Sequence, residues 1–190
     1  LADSQRYIAL GVWCGHELVG YSLSGCVREN PYRSVQWIAQ ILAAKQAVYR
    51  GFGLVIMPEY QGKSLGGLLV NARSARLAQR GVEHFVGAIA VENLPSIASF
   101  LGEGRVLVGL ESDELCLNYV VYSGQGINFS NRAQRVEADF CDLVVQQRMF
   151  DSGWVAGRLI RARSHAPVLS FLLPEWADAV IAHGCPDVAG

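Results

Sequence analysis

The chain has 190 residues, of which 51% are hydrophobic and 17% charged, and its formal net charge is −1. These values are typical of one compact globular core, with or without an appendage, and they exclude a disordered chain. Because 16 Lys and Arg are balanced by 17 Asp and Glu and no apolar run is long enough to span a bilayer, neither a nucleic-acid nor a membrane partner is expected.

The cysteines are odd in number and scattered, which favours free thiols in a reducing compartment, so a cytoplasmic location is expected. The histidines form no ligand cluster, so no metal is expected either. The chain begins at Leu1 without a signal pattern, which is consistent with a fragment of a longer protein. The cysteines are Cys14, Cys26, Cys116, Cys141 and Cys185.

The first elements are two apolar runs, Tyr7–Trp13 and Leu18–Val27, separated by a short turn. This pattern predicts a β-hairpin. Ser34 can cap a helix whose apolar residues share one face through Ala47.

A buried strand, Phe52–Met57, is followed by a glycine-containing loop and by a helix predicted over Leu65–Arg80, which Gly81 ends. Unpaired N–H groups and the helix dipole make the start of such a helix an anion site. A nucleotide-binding P-loop is excluded, since Met57 stands where its first glycine is needed. The predicted inward face is Leu65, Leu68, Leu69 and Ala72, and the predicted outward face is Asn71, Arg73, Arg76 and Arg80.

The loop Gln61-Gly62-Lys63-Ser64-Leu65-Gly66 resembles the acyl-CoA pyrophosphate loop of the GCN5-related N-acetyltransferase (GNAT) family. The family pattern is Gln or Arg, two residues, Gly or Ala, one residue, Gly or Ala. The first and last positions match, and Ser64 stands where glycine is usual. The alternative is a structural strand–turn–helix without a ligand, because short glycine motifs often match by chance.

A second stretch, after a strand predicted over Val82–Val91, also resembles the family. Asn93 can cap a short helix that ends near Leu101, and Asn93, Ser96 and Ile97 fit the family pattern. Phe100 replaces the tyrosine that usually follows.

The resemblance implies an α/β (α+β) fold with a mixed, mostly antiparallel central sheet, two splayed parallel strands and flanking helices. The last core strands are predicted over Arg105–Leu110 and Leu115–Tyr122. Residues 1–124 form the expected acyl-CoA-binding core, which lacks the family's N-terminal strand and helices, and residues 125–190 form an extension packed on it. A helical extension is expected, with helices over Arg132–Met149 and Pro174–His183 and a strand over Trp154–Arg163.

The resemblance also implies the ligand, which is acetyl-CoA or another acyl-CoA used as cosubstrate, without a metal. Its pantetheine arm is expected on the backbone of Ile56 and Met57, and its pyrophosphate on the N–H groups of the loop. Glu92 is the candidate base. Phe100 cannot supply the proton that the departing thiolate needs, so Tyr119 or Tyr122 is the candidate acid, unless both are structural. The expected cofactor-binding residues are Ile56, Met57, Gln61, Gly62, Lys63, Ser64, Leu65, Gly66, Asn93, Ser96 and Phe100.

Two functions follow from these residues. The first is an acyl-CoA-dependent N-acyltransferase that acts on an unidentified amine of a small molecule or protein. The alternative is a GNAT-fold module that binds acyl-CoA as a ligand or regulator without catalysis, which the loss of the tyrosine at Phe100 favours. A structural or dimerisation domain that binds no CoA is a third class, and a homodimer is left open.

Overall fold

The computed structural model describes residues 6–44, 46–113, 115–124, 135–160 and 166–173. The chain divides into two compact units, unit 1 with Leu1–Pro31 and Ile38–Ala88, and unit 2 with Tyr32–Trp37 and Ile89–Gly190. Each unit is a β-sheet with helices packed against it, which confirms the mixed α/β fold. Among the described helices, none combines the length and apolarity that crossing a bilayer requires.

Unit 1 begins with the predicted β-hairpin, whose turn lies at Gly15 and His16. Gly15 has a φ of 59°, which glycine adopts without steric cost. The hairpin strands and the third strand pair antiparallel, and the third and fourth strands pair parallel. The elements are β1 (Tyr7–Cys14), β2 (Glu17–Val27), α1 (Trp37–Ala43, of which Trp37 belongs to unit 2), β3 (Val48–Ile56), a 3₁₀ turn (Pro58–Tyr60), α2 (Leu65–Gln79) and β4 (His84–Ala90, of which the last two residues belong to unit 2).

The helix predicted from Ser34 to Ala47 is shorter than expected, and β3 starts earlier. Ser34 does not cap α1, because the helix begins only at Trp37. The Ser34 backbone N–H donates instead to the Glu111 carboxylate at 2.8 Å. Val48 begins β3 by pairing with Val27 at the end of β2. The β-branched and aromatic residues after the helix therefore extend the sheet.

The face of α2 that packs against β1, β2 and β3 differs from the predicted face. Arg73, predicted to be outward, is 2% exposed, and Leu68, predicted to be inward, is 57% exposed. The Arg73 guanidinium stacks 4.5 Å from the centre of the Phe85 ring and donates to the Ser22 hydroxyl at 3.1 Å. The prediction was wrong because an arginine side chain can be buried when its guanidinium stacks on an aromatic ring and donates to a hydrogen-bond acceptor.

Unit 2 contains a sheet with the strand order β6-β5-β8-β9-β7, in which all neighbours are antiparallel. Helix α3 packs against β5 and β8, and α4 packs against β5. The elements are α3 (Leu94–Gly102), β5 (Val106–Ser112), β6 (Leu117–Gly124), β7 (Arg135–Asp139), α4 (Leu143–Asp151), β8 (Val155–Ile160) and β9 (Val168–Leu172).

The C-terminal extension is not helical as predicted: its described residues form three strands and one helix. The helix predicted over Arg132–Met149 is instead β7 followed by α4. Asp142 starts α4, since its side chain accepts the backbone N–H of Val145 at 3.0 Å. The predicted strand after Trp154 is β8, whereas the helix predicted over Pro174–His183 lies outside the described residues.

The core of unit 2 contains side chains from both residues 89–124 and the extension. At its centre the Tyr119 hydroxyl donates to Gln146 Oε1. The Gln146 amide nitrogen donates in turn to the carbonyls of Asp139 and Phe140, both at 2.8 Å. The extension thus completes a core, although the division at Gly124 itself stays a prediction. The aromatic members of this core are Tyr119, Phe140, Phe150 and Phe171.

We expect Gln146→Leu to lower the free energy of unfolding by about 3 kcal/mol, because it leaves one hydroxyl and two carbonyls unpaired in the core. Gln147→Leu is the matched control on the same helix, and it should change stability by only about 0.5 kcal/mol. Urea unfolding measures both variants. Equal stability of the two would contradict a structural role for Gln146.

Candidate functional site

The parallel strands β3 and β4 separate along their length. Their register pairs run from Val48 and His84 to Arg50 and Val86, and both strands continue beyond the last pair. On its other side β3 stays paired with β2 as far as Ile56. The predicted splay of these parallel strands is therefore present.

An irregularity in β3 lies at the start of this separation. The register with β2 shifts between Leu23 and Ser24, which pair with Gly53 and Gly51, so Phe52 is an extra residue on β3. Such a bulge bends a strand and increases its local twist. The bulge accounts for the turning of β3 away from β4 just after Arg50.

The backbone of Ile56 points to the side of β3 that faces away from β2. The next residue, Met57, donates its N–H to the Val19 carbonyl at 2.9 Å, and alternate residues of a strand point their polar groups to opposite sides. The Ile56 carbonyl accepts the side-chain amide of Gln61 at 3.0 Å. Ile56 thus presents its backbone where an added strand would pair.

The Met57 backbone is engaged, contrary to expectation. Its N–H is bound to Val19, and its carbonyl accepts the N–H of Tyr60 at 2.9 Å. The prediction that a free Met57 N–H binds or polarises a ligand is therefore wrong. The N–H of Gln61 is also occupied, by the Pro58 carbonyl at 3.2 Å.

The loop that follows turns through two left-handed residues, Gly62 with φ 74° and Ser64 with φ 60°. Among the described residues, Ser64 is the one residue other than glycine with a positive φ. Its side chain makes no capping hydrogen bond with α2. This conformation explains why glycine is usual at the position.

Three backbone N–H groups at the start of α2 point out of the helix. The N–H of Leu68 bonds to the Ser64 carbonyl at 3.1 Å, and the N–H groups of Leu65, Gly66 and Gly67 precede it. No backbone acceptor for these three lies within the described ranges. Together with the helix dipole, they are placed as a candidate anion site requires.

The glycines at 66 and 67 are not required by the fold. A Cβ atom at Gly67 would meet nothing within 4 Å, and one at Gly66 would meet only the Leu54 side chain at 3.7 Å, an ordinary contact. Gly62, by contrast, is required by its φ. Glycine at 66 and 67 therefore leaves open space in front of the N–H groups, and Gly67 extends the site beyond the predicted residues.

The loop itself carries one positive charge, on Lys63. Lys63 places its ammonium 4.8 Å from the centre of the Tyr60 ring. Interaction with the Cys14 side chain and with the Glu17 carboxylate, which accepts the Tyr60 hydroxyl at 3.5 Å, raises the pKa of the Tyr60 phenol above its ordinary value. The ammonium at Lys63 can therefore attract an anion to the helix start.

The second predicted group of site residues lies in unit 2. The Asn93 side chain accepts the N–H of Ser96 at 3.2 Å and begins α3, as the sequence predicts. Glu92 is exposed in the turn before it. The Phe100 ring is partly buried and lies 4.8 Å from the Arg105 guanidinium carbon.

Tyr119 does not lie with these residues. Its side chain is fully buried in the core, where burial raises the pKa of its hydroxyl. Tyr122 is also buried, with its ring against Trp37. Because the Tyr119 hydroxyl is held by Gln146 inside the core, Tyr119 fits a structural role and not the acid role predicted for it.

Four cysteines in the described part of the chain, Cys14, Cys26, Cys116 and Cys141, are free thiols, and Cys185 lies outside it. The described residues contain no group of three or more His, Cys, Asp and Glu side chains placed to hold a metal ion.

Comparison with known proteins gives one family match. The model of the acetyltransferase (GNAT) family matches residues 3–102, just over half of the chain. No significant match was found among curated proteins.

Similar solved structures include the acetyltransferase of the GNAT family from Streptococcus pneumoniae, with 16% identity over 65% of this chain and 69% of that chain and a TM-score of 0.51. Two others have TM-scores below 0.5. The PaiA N-acetyltransferase from Thermoplasma acidophilum, in complex with coenzyme A, has 13% identity and a TM-score of 0.45, and the match covers 63% of this chain and only 61% of that one. The ribosomal-protein-S18-alanine N-acetyltransferase from Escherichia coli has 14% identity over 68% and 76% of the two chains and a TM-score of 0.47. At these identities the Streptococcus pneumoniae likeness supports the fold alone.

Ser64→Gly should raise the free energy of unfolding by about 1 kcal/mol, because a left-handed conformation costs a residue with a Cβ atom about that much. Ser64→Ala keeps the Cβ atom and should bring no gain. Thermal unfolding of the ligand-free protein compares the two. A gain in the alanine variant equal to that in the glycine variant would rule out backbone strain as the cause.

Proposed function

The chain belongs to the acetyltransferase (GNAT) family, and on that premise we propose that it is an acyl-CoA-dependent N-acyltransferase. In this proposal acetyl-CoA or a related thioester donates its acyl group to an amine.

The free thiols of the described cysteines support a cytoplasmic location, because thiols stay reduced there.

The observation that carries the proposal is the start of α2. Three N–H groups of the described residues have no backbone acceptor there, and two glycines that packing does not require leave the space before them open. A pyrophosphate needs both features, since its oxygens must approach the backbone closely to accept these hydrogen bonds. A merely structural turn would need neither Gly66 nor Gly67.

The separated part of β3 supports binding of the pantetheine arm. An extended amide-containing chain can pair with an exposed strand edge through main-chain hydrogen bonds. Ile56 offers such an edge, and the Gln61 side chain, which now bonds to its carbonyl, would have to move aside. The arm would then run from the phosphate site along β3.

In the transfer step, the amine nitrogen attacks the thioester carbonyl carbon and the carbon–sulfur bond breaks. One proton leaves the nitrogen and one joins the thiolate, so the products are an amide and a free thiol. Exposed Glu92 is suited to take the first proton through a water molecule. Water is the simplest source of the second proton, because Phe100 carries no acidic group and the Tyr119 hydroxyl is engaged.

The second candidate is a module that binds acyl-CoA without transferring its acyl group. The replacement of the usual tyrosine by Phe100, with no free hydroxyl at Tyr119 in its place, favours it. The phosphate site is compatible with both functions. Thiol release measured over a panel of amines, with and without the protein, separates them.

Acetyl-CoA should raise the melting temperature, since ligand at 100 times its dissociation constant adds about 2.7 kcal/mol of stability. Gly66→Asp should abolish this shift by placing a carboxylate where the pyrophosphate binds. The variant should fold, because the site has room for a Cβ atom and an acid is favourable in the first turn of a helix. Differential scanning fluorimetry with and without acetyl-CoA measures the shift.

Asn71→Asp is the matched control, as it adds the same charge at an exposed position further along α2. The control should keep the shift. If Gly66→Asp kept it too, the phosphate site would lie elsewhere.

Phe100→Tyr should raise kcat by up to about 100-fold if the protein is an enzyme, because it supplies the missing proton donor. The KM for acetyl-CoA should change little, since the substitution adds one oxygen and little volume. Thiol release with saturating acetyl-CoA and a mixed amine pool measures the rate. Background rates in both proteins, with CoA binding intact, would favour the binding module.

A further inference from the structure

A groove of about 410 Å³ opens on unit 2 between α4 and the ends of β5 and β6. Its volume lies within the range of small-molecule sites in proteins. Val144 on its rim is 64% exposed, so the groove is open to solvent. The lining residues are Leu110, Leu117, Leu143, Val144, Gln147 and Arg148.

The surface of the groove is almost entirely apolar, and one positively charged residue, Arg148, lies at its edge. Arg148 is exposed, and in the described part of the chain no carboxylate lies within 4 Å of its guanidinium. The neighbouring carboxylate of Asp151 instead accepts the Gln147 amide at 2.7 Å. Arginine binds carboxylates through paired hydrogen bonds, so this arrangement is complementary to an apolar molecule that carries a carboxylate.

One backbone contact ties the groove to the residues of the proposed reaction. Leu117, which lines the groove, accepts the N–H of Val91 at 3.1 Å through its carbonyl. Val91 directly precedes Glu92, the candidate base. The groove therefore adjoins the segment from which a proton acceptor would serve an incoming amine.

We propose that this groove binds the acceptor, a small primary amine with an apolar side chain and a carboxylate. The assignment of the ligand as acceptor rests on the proposed N-acyltransferase function. The apolar side chain lies against the leucines, the carboxylate pairs with Arg148, and the amine turns towards Glu92. Its nitrogen displaces the thiol of the acyl donor, so the product is an N-acyl carboxylic acid.

The test starts with binding in the absence of an acyl donor. Saturation-transfer NMR titrations use L-phenylalanine and phenethylamine, which has the same ring and amine but no carboxylate. Phenylalanine should bind, and Arg148→Gln should weaken its binding about 3- to 5-fold, as expected for an ion pair at an exposed arginine, while binding of phenethylamine should change less than 2-fold. Arg158→Gln, at another exposed arginine of unit 2, is the charge control and should leave both unchanged.

Val144→Trp should fill the groove and abolish binding of both probes. Val145→Trp places the same ring on the next residue of α4, which does not line the groove, and should leave binding intact. Binding of phenylalanine that neither Val144→Trp nor Arg148→Gln affects, or no binding at all, would overturn the proposal. So would phenylalanine that binds in the groove but is not acylated by a protein that acylates other amines.

Failure of the proposed function gives a different result. If acetyl-CoA did not stabilise the wild-type protein, the N-acyltransferase function and the acceptor role would both be rejected, whether or not phenylalanine and phenethylamine bind. If acetyl-CoA bound through Gly66 and phenylalanine bound through Arg148, the acetyl product formed in a single turnover would support both proposals.

Discussion

The early end of the pairing between β3 and β4 is the constraint on which the candidate site depends. Beyond Arg50 and Val86 the register pairs stop, and Ile56 keeps a backbone edge without a neighbouring strand. Unpaired strand edges are unfavourable unless they are covered or used. The bulge at Phe52 turns β3 away from β4, and the chain then enters the loop with the two left-handed residues Gly62 and Ser64. Strand edge and anion site are thus consecutive parts of one segment.

Features that depend on neighbours in sequence were predictable. The hairpin needs only a short turn between two runs of residues that favour β-strands. Asn93 caps α3 by accepting the N–H of a residue only three positions later. The candidate anion site was predictable for the same reason, because the first N–H groups of every α-helix have no acceptor within the helix. Family resemblance added which ligand is expected, because spacing alone does not distinguish a pyrophosphate from another anion.

Features that depend on distant residues were not predictable. Arg73 is buried because Phe85 and Ser22 lie where its guanidinium reaches, and neither is its neighbour in sequence. The sequence around Tyr119 does not show whether its hydroxyl is free for catalysis. In the structure Gln146, 27 residues later, accepts the hydroxyl hydrogen. The residues of β7 were predicted as helix because Val136 has helical spacing with Phe140, Leu143 and Val144, whereas pairing with β9 makes them a strand. The groove also escaped prediction, since its lining comes from three separate elements.

One side of helix α4 packs into the core of unit 2, and another side lines the groove. Gln146 and Phe150 lie in the core, while Val144 and Arg148 lie on the groove. Helical spacing keeps these pairs apart, since residues two positions apart point to different sides. Substitutions at 144 and 148 can consequently accumulate during evolution without disturbing the interior, and changes in the preferred ligand need not cost stability. In the acceptor role proposed for the groove, variation along this single helix would change the acceptor while the acyl-donor site stays the same.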